Sequence, residues 1–294
     1  MMDKYSLPRK IAIYFCIALF LIFMLLPFVE MFIASLRPLT HLFHRPELEA
    51  GETMDFMDFI SRFWSDKMSF QAYSDMWVTV PQLGRYIFNS VFLATAVTIM
   101  SMIFVIPAAY AYARFSFRGK SVSLTLFLAV NMFSGAVLLI PLYKLLRTYG
   151  MLNTYWAMII PGVAFLIPMG IWLLKSFLEK IPYELEEASF VDGASRLYTL
   201  RRVILPLAVP GLVVVGVAIF IGAYAQQFLF AITFNQERDY MPLPQGIFEF
   251  IGYQRVLWNE MMAASLVGIL PVLLIFLFLQ KHLIAGLTQG AVKE

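Results

Sequence analysis

An all-α integral membrane protein with about six transmembrane helices is the fold this sequence predicts, and three observations predict it. Of 294 residues, 61% are hydrophobic and 14% are charged, and the mean hydropathy is +0.76. A soluble core cannot absorb that much apolar surface. The apolar residues gather in runs of the length a bilayer requires, about 20 residues. No run shows the two-residue alternation of a barrel strand.

The runs are 11–36, 86–112, 121–145, 154–177, 206–234 and 262–281. Lys4, Arg9 and Lys10 precede the first, which is longer than the apolar core of a cleavable signal. No Ala-x-Ala-like site follows it, so it is expected to remain as an anchor. Basic residues set the orientation. Lys4, Arg9 and Lys10; Arg114, Arg118 and Lys120; Lys180, Arg196, Arg201 and Arg202; and Lys281 and Lys293 all fall on one side if the spans alternate. Both termini are then cytoplasmic, with Lys144 and Arg147 outvoted on the other side. One membrane domain, 1–294, would carry an external segment 37–85, a cytoplasmic loop 178–205, an external loop 235–261 and a cytoplasmic tail 282–294. In the external segment, Phe56, Phe59, Ile60, Phe63 and Trp64 share one helix face. That helix could lie on the membrane surface, against a partner, or over the protein's own loops.

The loop from Pro182 to Pro206 is the most polar stretch between two spans and reads as two short helices around a turn. Pro182 suits a first helical position, and Glu184, Glu186 and Glu187 favour a helix N-terminus. Gly193 is a natural stop, Ser195 can cap the next helix, and Leu197, Leu200 and Ile204 share a face. By its physics alone this is an amphipathic loop on a membrane surface.

Polar residues inside the apolar runs face protein or a watery path rather than lipid. They are Asn89 and Ser90, Asn131 and Ser134, and Tyr224, Gln226 and Gln227. Asparagines serve helix packing and a pathway equally well. Adjacent Gln226 and Gln227 point different ways, so one interhelical contact does not satisfy both, which favours a translocation path.

Other chemistries find little support. Gly119-Lys120-Ser121 lacks the glycine that a phosphate loop needs five residues earlier, where Arg114 stands. His41, His44 and His282 have no accompanying cysteine ligands. Cys16 is alone inside an apolar run. No nucleophile, base and acid come together in a pattern that would make the chain an enzyme. The mild basicity matches cytoplasmic membrane edges rather than nucleic acid.

The order of residues in the polar loop adds a resemblance. Glu187-Ala188-Ser189, then Gly193, then Val203-Ile204-Leu205-Pro206 resembles the EAA motif of importer-type ABC permeases, with Ser189 for the second alanine, Val203 for an isoleucine and Leu200 for a phenylalanine. Towards the end, Ala263-Ala264-Ser265, Pro271, Gln280-Lys281-His282 and Gly286-Leu287-Thr288-Gln289-Gly290-Ala291-Val292-Lys293 resemble the carbohydrate-uptake branch, the maltose-importer permease type.

The resemblance implies a bacterial cytoplasmic (inner) membrane protein that works with a second homologous permease, two ATPase subunits and an external solute-binding protein. Glu187, Ala188, Ser189, Asp192, Gly193, Ala194 and Ser195 would form the coupling helix region that docks on an ATPase. ATP and Mg would belong to that ATPase, with no cofactor in this chain. The external loop, through Gly252, Tyr253, Gln254 and Arg255, would touch the binding protein. The implied cargo is an oligosaccharide. Relatives often carry Asn-Glu where this chain has Gln226-Gln227, which suits an anionic one. The alternatives are an ABC permease for another small solute and a secondary transporter; the latter would show internal repeats and ion-coupling carboxylates in its spans.

Overall fold

The computed structural model describes residues 7–39, 68–130, 135–252 and 255–288. Asn131, Ser134, Tyr253, Gln254, His41, His44, the 55–65 helix and residues 289–294 lie outside them.

Among the described residues, five helices are long and apolar enough to cross a membrane. They are α1 (Leu7–Leu36), α3 (Leu83–Arg114), α6 (Trp156–Leu178), α9 (Val209–Phe234) and α10 (Trp258–Thr288). The short α2 (Gln71–Thr79) precedes α3. Within the apolar run 121–145, expected as one span, the described residues form α4 (Lys120–Val130) and α5 (Gly135–Thr148). At the other end of the chain α10 continues to Thr288, so residues 282–288, expected as tail, are helical.

The described chain forms two compact units, Met1–Leu83 with Ile247–Ile269, and Gly84–Gly246 with Leu270–Glu294. In the first, α1 exposes its apolar side chains along its length, among them Phe15, Phe20 and Phe23. Its end is tied to α2: Tyr73 and Ser35 share a 2.9 Å hydroxyl hydrogen bond, and Ser69 N–H donates to Leu36 O at 2.9 Å. The same unit holds an antiparallel bridge that joins Ile251 to Val256, and Gly252 N–H donates to Arg255 O at 3.0 Å.

The second unit is built on α6, of whose apolar window 61% is buried, against 28% for α3 and 33% for α9. Close backbone approach makes this possible. A Cβ placed on Gly162 would lie 3.1 Å from Val97 of α3, and one on Gly170 2.8 Å from Val105. On the α9 side, a Cβ on Gly222 would lie 2.9 Å from Leu166, and one on Gly211 2.7 Å from Phe177. Apolar surfaces gain nothing over lipid by meeting each other, so small residues that admit a neighbour's side chain supply the packing.

Candidate functional site

The polar loop folds as its sequence suggests, with one addition. Helix α7 spans Glu184–Val191, with its three glutamates in the first turn. Gly193 ends it at φ +82°. Gly193 N–H donates to Phe190 O and Ala194 N–H to Ser189 O, each at 3.0 Å, the paired bonds of a Schellman motif. No atom lies within 4 Å of where a Cβ on Gly193 would be, so the backbone angle, not crowding, requires the glycine. Ser195 then caps α8 (Arg196–Thr199), its Oγ accepting from Tyr198 N–H at 3.3 Å. Ser189 and Thr199, both buried, join the two helices through a 2.9 Å hydroxyl contact.

The addition is a π turn over Leu200–Ile204, closed by Leu205 N–H donating to Leu200 O. Pro206 has no N–H to offer, and its ring presses on the carbonyl four residues back; a wider turn relieves that pressure. The chain is helical over Leu205–Leu207 and, after a turn at Ala208, enters α9.

One end of α3 holds this loop in place. Glu186 is 1% exposed. Arg114 Nε donates to its Oε1 and Tyr110 Oη to its Oε2 at 2.8 Å, while Arg114 Nη2 donates to Ile181 O at 2.9 Å. A buried ion pair is tolerated when its remaining polar atoms are also satisfied, and here both carboxylate oxygens are. The Arg196 guanidinium stacks over Phe115 at 4.8 Å and Phe190 at 5.9 Å. The opposite face is open: Glu187, Ala188, Val191, Asp192, Gly193 and Ser195 are exposed, and Ala194 is half-buried. Val191, Leu197 and Tyr198 expose apolar surface beside these acids, the composition of a protein-docking patch.

The other end of α3 holds the 235–246 segment. Asn89 and Ser90, expected to serve packing or a pathway, are wholly buried. Asn89 Nδ2 donates to Asp239 O at 3.0 Å and Met241 O at 2.9 Å, and its Oδ1 accepts from Tyr155 Oη at 2.7 Å. Ser90 Oγ accepts from Leu243 N–H at 2.9 Å, and Ser90 O accepts from Gln227 Nε2 at 2.6 Å. Arg85 adds an ion pair to the Asp239 carboxylate at 2.8 Å. The polar atoms of Asn89 are thus committed to protein. Tyr224 is half-buried on α9, its ring stacked on Phe220 at 6.3 Å. Gln226 and Gln227 line a small cavity with Leu93, Val97, Met158 and Gly162. Both of their Oε1 atoms are buried with no hydrogen-bond partner.

The sequence matches the family described as "Binding-protein-dependent transport system inner membrane component" over residues 10–289. The chain belongs to this family of importer permeases. It is 36% identical over 209 residues to the trehalose/maltose transport system permease protein MalG of Thermococcus litoralis, covering 71% of this chain and 75% of that one. With the inner membrane ABC transporter permease protein YcjP of Escherichia coli it shares 32% identity over 291 residues, 99% of each chain. Its fold is similar to a chain in the crystal structure of a bacterial ABC transporter that imports the acidic polysaccharide alginate, with TM-score 0.72, 20% identity, and 95% and 99% of the two chains covered.

In this permease the motif residues from Glu187 to Ser195 come together on one knuckle. Gly252 and Arg255, in the other unit, are joined by a backbone hydrogen bond. Sequence reasoning singled out Glu187 and passed over Glu186, Arg114 and Tyr110. A signal was present: Tyr110 and Arg114 stand one helical turn apart, so they share a face at the end of a span.

Proposed function

We propose that this permease is one of two membrane subunits of an importer that passes an oligosaccharide to the cytoplasm, driven by ATP and Mg on separate ATPase subunits. The observation that carries this is the knuckle from Glu187 to Ser195, fixed from behind by Glu186 and exposed in front. A rigid exposed element with mixed apolar and acidic groups suits a partner that must be pushed and pulled. In this reading both termini are cytoplasmic, the knuckle faces the ATPase, and the segment from Gly252 to Arg255 faces an external binding protein. Relatives named for trehalose/maltose and diacetylchitobiose support a sugar cargo.

Gln226 and Gln227, with Tyr224 and the pair Asn131 and Ser134, remain the residues proposed for the path. An anionic cargo is the finer reading. A carboxylate near a low-dielectric path would repel an anion, while an amide would not. A relative named for sulfoquinovosyl glycerol, a sulfonated glycoside, is in keeping with it. Because the Gln227 amide is committed to Ser90, Gln226→Glu is the sharper probe. The test is uptake by the reconstituted complex with neutral and anionic oligosaccharides. ATP-dependent sugar uptake is expected, and Gln226→Glu should depress uptake of the anionic sugars selectively. A binding protein that takes no sugar would overturn the cargo; one that takes only neutral sugars would overturn the finer reading alone.

A further inference from the structure

The two sets of contacts on α3 have a joint consequence. The helix grips the 235–246 segment at one end through Arg85, Asn89 and Ser90, and the polar loop at the other through Tyr110 and Arg114. About 38 Å of helix rise separates Asn89 from Arg114. Between them α3 is seated on α6 twice, Val97 against Gly162 and Val105 against Gly170. The two seats repeat at the same spacing on both helices, roughly two turns. The helix therefore cannot slide or roll on α6 without unseating both valines at once. Pro107 removes one backbone hydrogen bond near the Arg114 end, and the Val105 seat lies beside that weak point.

We propose that Asn89 and Arg114 are positioning residues at the two ends of one rigid strut, through which docking at the outer face sets the position of the knuckle that meets the ATPase. This rests on the importer reading above. Neither residue need touch cargo, binding protein or ATPase. Asn89 fixes the backbone at Asp239 and Met241, a stretch with no ladder or long helix of its own. Arg114 fixes α7 through Glu186 and Ile181. A shift of the outer segment must then move α3 as a body, and Glu186 with it. A coupling route of this kind requires an element that both sites bias, and α3 is bonded to both.

The test uses the complete complex in lipid nanodiscs with its binding protein, wild type against Asn89→Leu and Asn89→Asp. The first variant removes all three side-chain hydrogen bonds and keeps the branched shape. The second retains an acceptor for Tyr155 and loses both donors, and it serves if the first fails to assemble. The readouts are basal ATPase rate, binding-protein affinity, and the ratio of stimulated to basal rate at saturating binding protein. A merely structural role would lower the rates together and leave the ratio unchanged. The expected result is a ratio lowered about fivefold or more, within the usual range of allosteric couplings, with the basal rate retained. Adding Arg114→Lys to Asn89→Leu should then lower the ratio little further, because both act on one element. A normal ratio, or one restored once binding protein saturates, overturns the strut. A wild-type complex indifferent to its binding protein overturns the importer reading and the strut together.

Discussion

The two ends of α3 solve the same problem with different chemistry. At the Arg114 end the partner is a helix whose backbone already satisfies itself, so the contact is made between side chains, as a buried ion pair with a tyrosine hydroxyl completing it. At the Asn89 end the partner is irregular chain with orphan carbonyls and amides, so neutral side chains bond directly to backbone. The comparison teaches that a buried charge is used where it can be fully paired, and an amide where several unpaired backbone groups must be collected at once.

Three experiments would break or sharpen this contrast. The largest effect is expected from Arg114→Ala, which strands the Glu186 carboxylate in a buried site. A loss of about 3–5 kcal/mol is expected for such a stranded charge, read from chemical unfolding in detergent. Replacing both partners, Arg114→Met with Glu186→Leu, should cost less than Arg114→Ala; if it costs more, the pair is stabilising in its own right. Next is Gly193→Val. The strain of a β-branched residue at positive φ is about 1–3 kcal/mol, and coupled transport should fall while ATPase activity persists. Gly193→Asn should be milder, since asparagine tolerates left-handed angles; equal damage from both would show that space rather than angle matters there. The smallest is Tyr155→Phe, which removes one of three bonds to Asn89 and should cost about 0.5–1.5 kcal/mol. Faster amide exchange at Leu243 with no change at Ala194 would show that the two ends are held separately.

Local features were legible in the sequence. The Gly193 stop and the Ser195 cap are where residue chemistry places them, because each depends on neighbours a few positions away. Five spans follow from hydropathy for the same reason. Contacts between residues distant in the chain were not legible, since they depend on how the helices pack. Nor could sequence choose among Glu184, Glu186 and Glu187: all suit a helix N-terminus, and only the distant Arg114 and Tyr110 decide which is buried. Asn89 and Asp239 are similarly far apart in the chain. Sequence reading identified Asn89 as costly in a membrane without showing which backbone groups it collects. Ser189 was read as a small substitute for alanine, whereas its hydroxyl joins α7 to α8.

The wide turn at Leu200–Ile204 makes residue number itself a structural quantity. Relative to a regular helix it holds one extra residue, and one residue turns everything beyond it by about 100°. The phase of α9 is thereby set from the knuckle, so that Gln227 arrives facing Ser90. Shortening the turn by one residue would leave composition, hydropathy and every downstream side chain intact, yet rotate the face of α9 that meets α3. Along this interval the chain behaves as a gear with a fixed number of teeth, in which the count carries information that the identity of each residue does not.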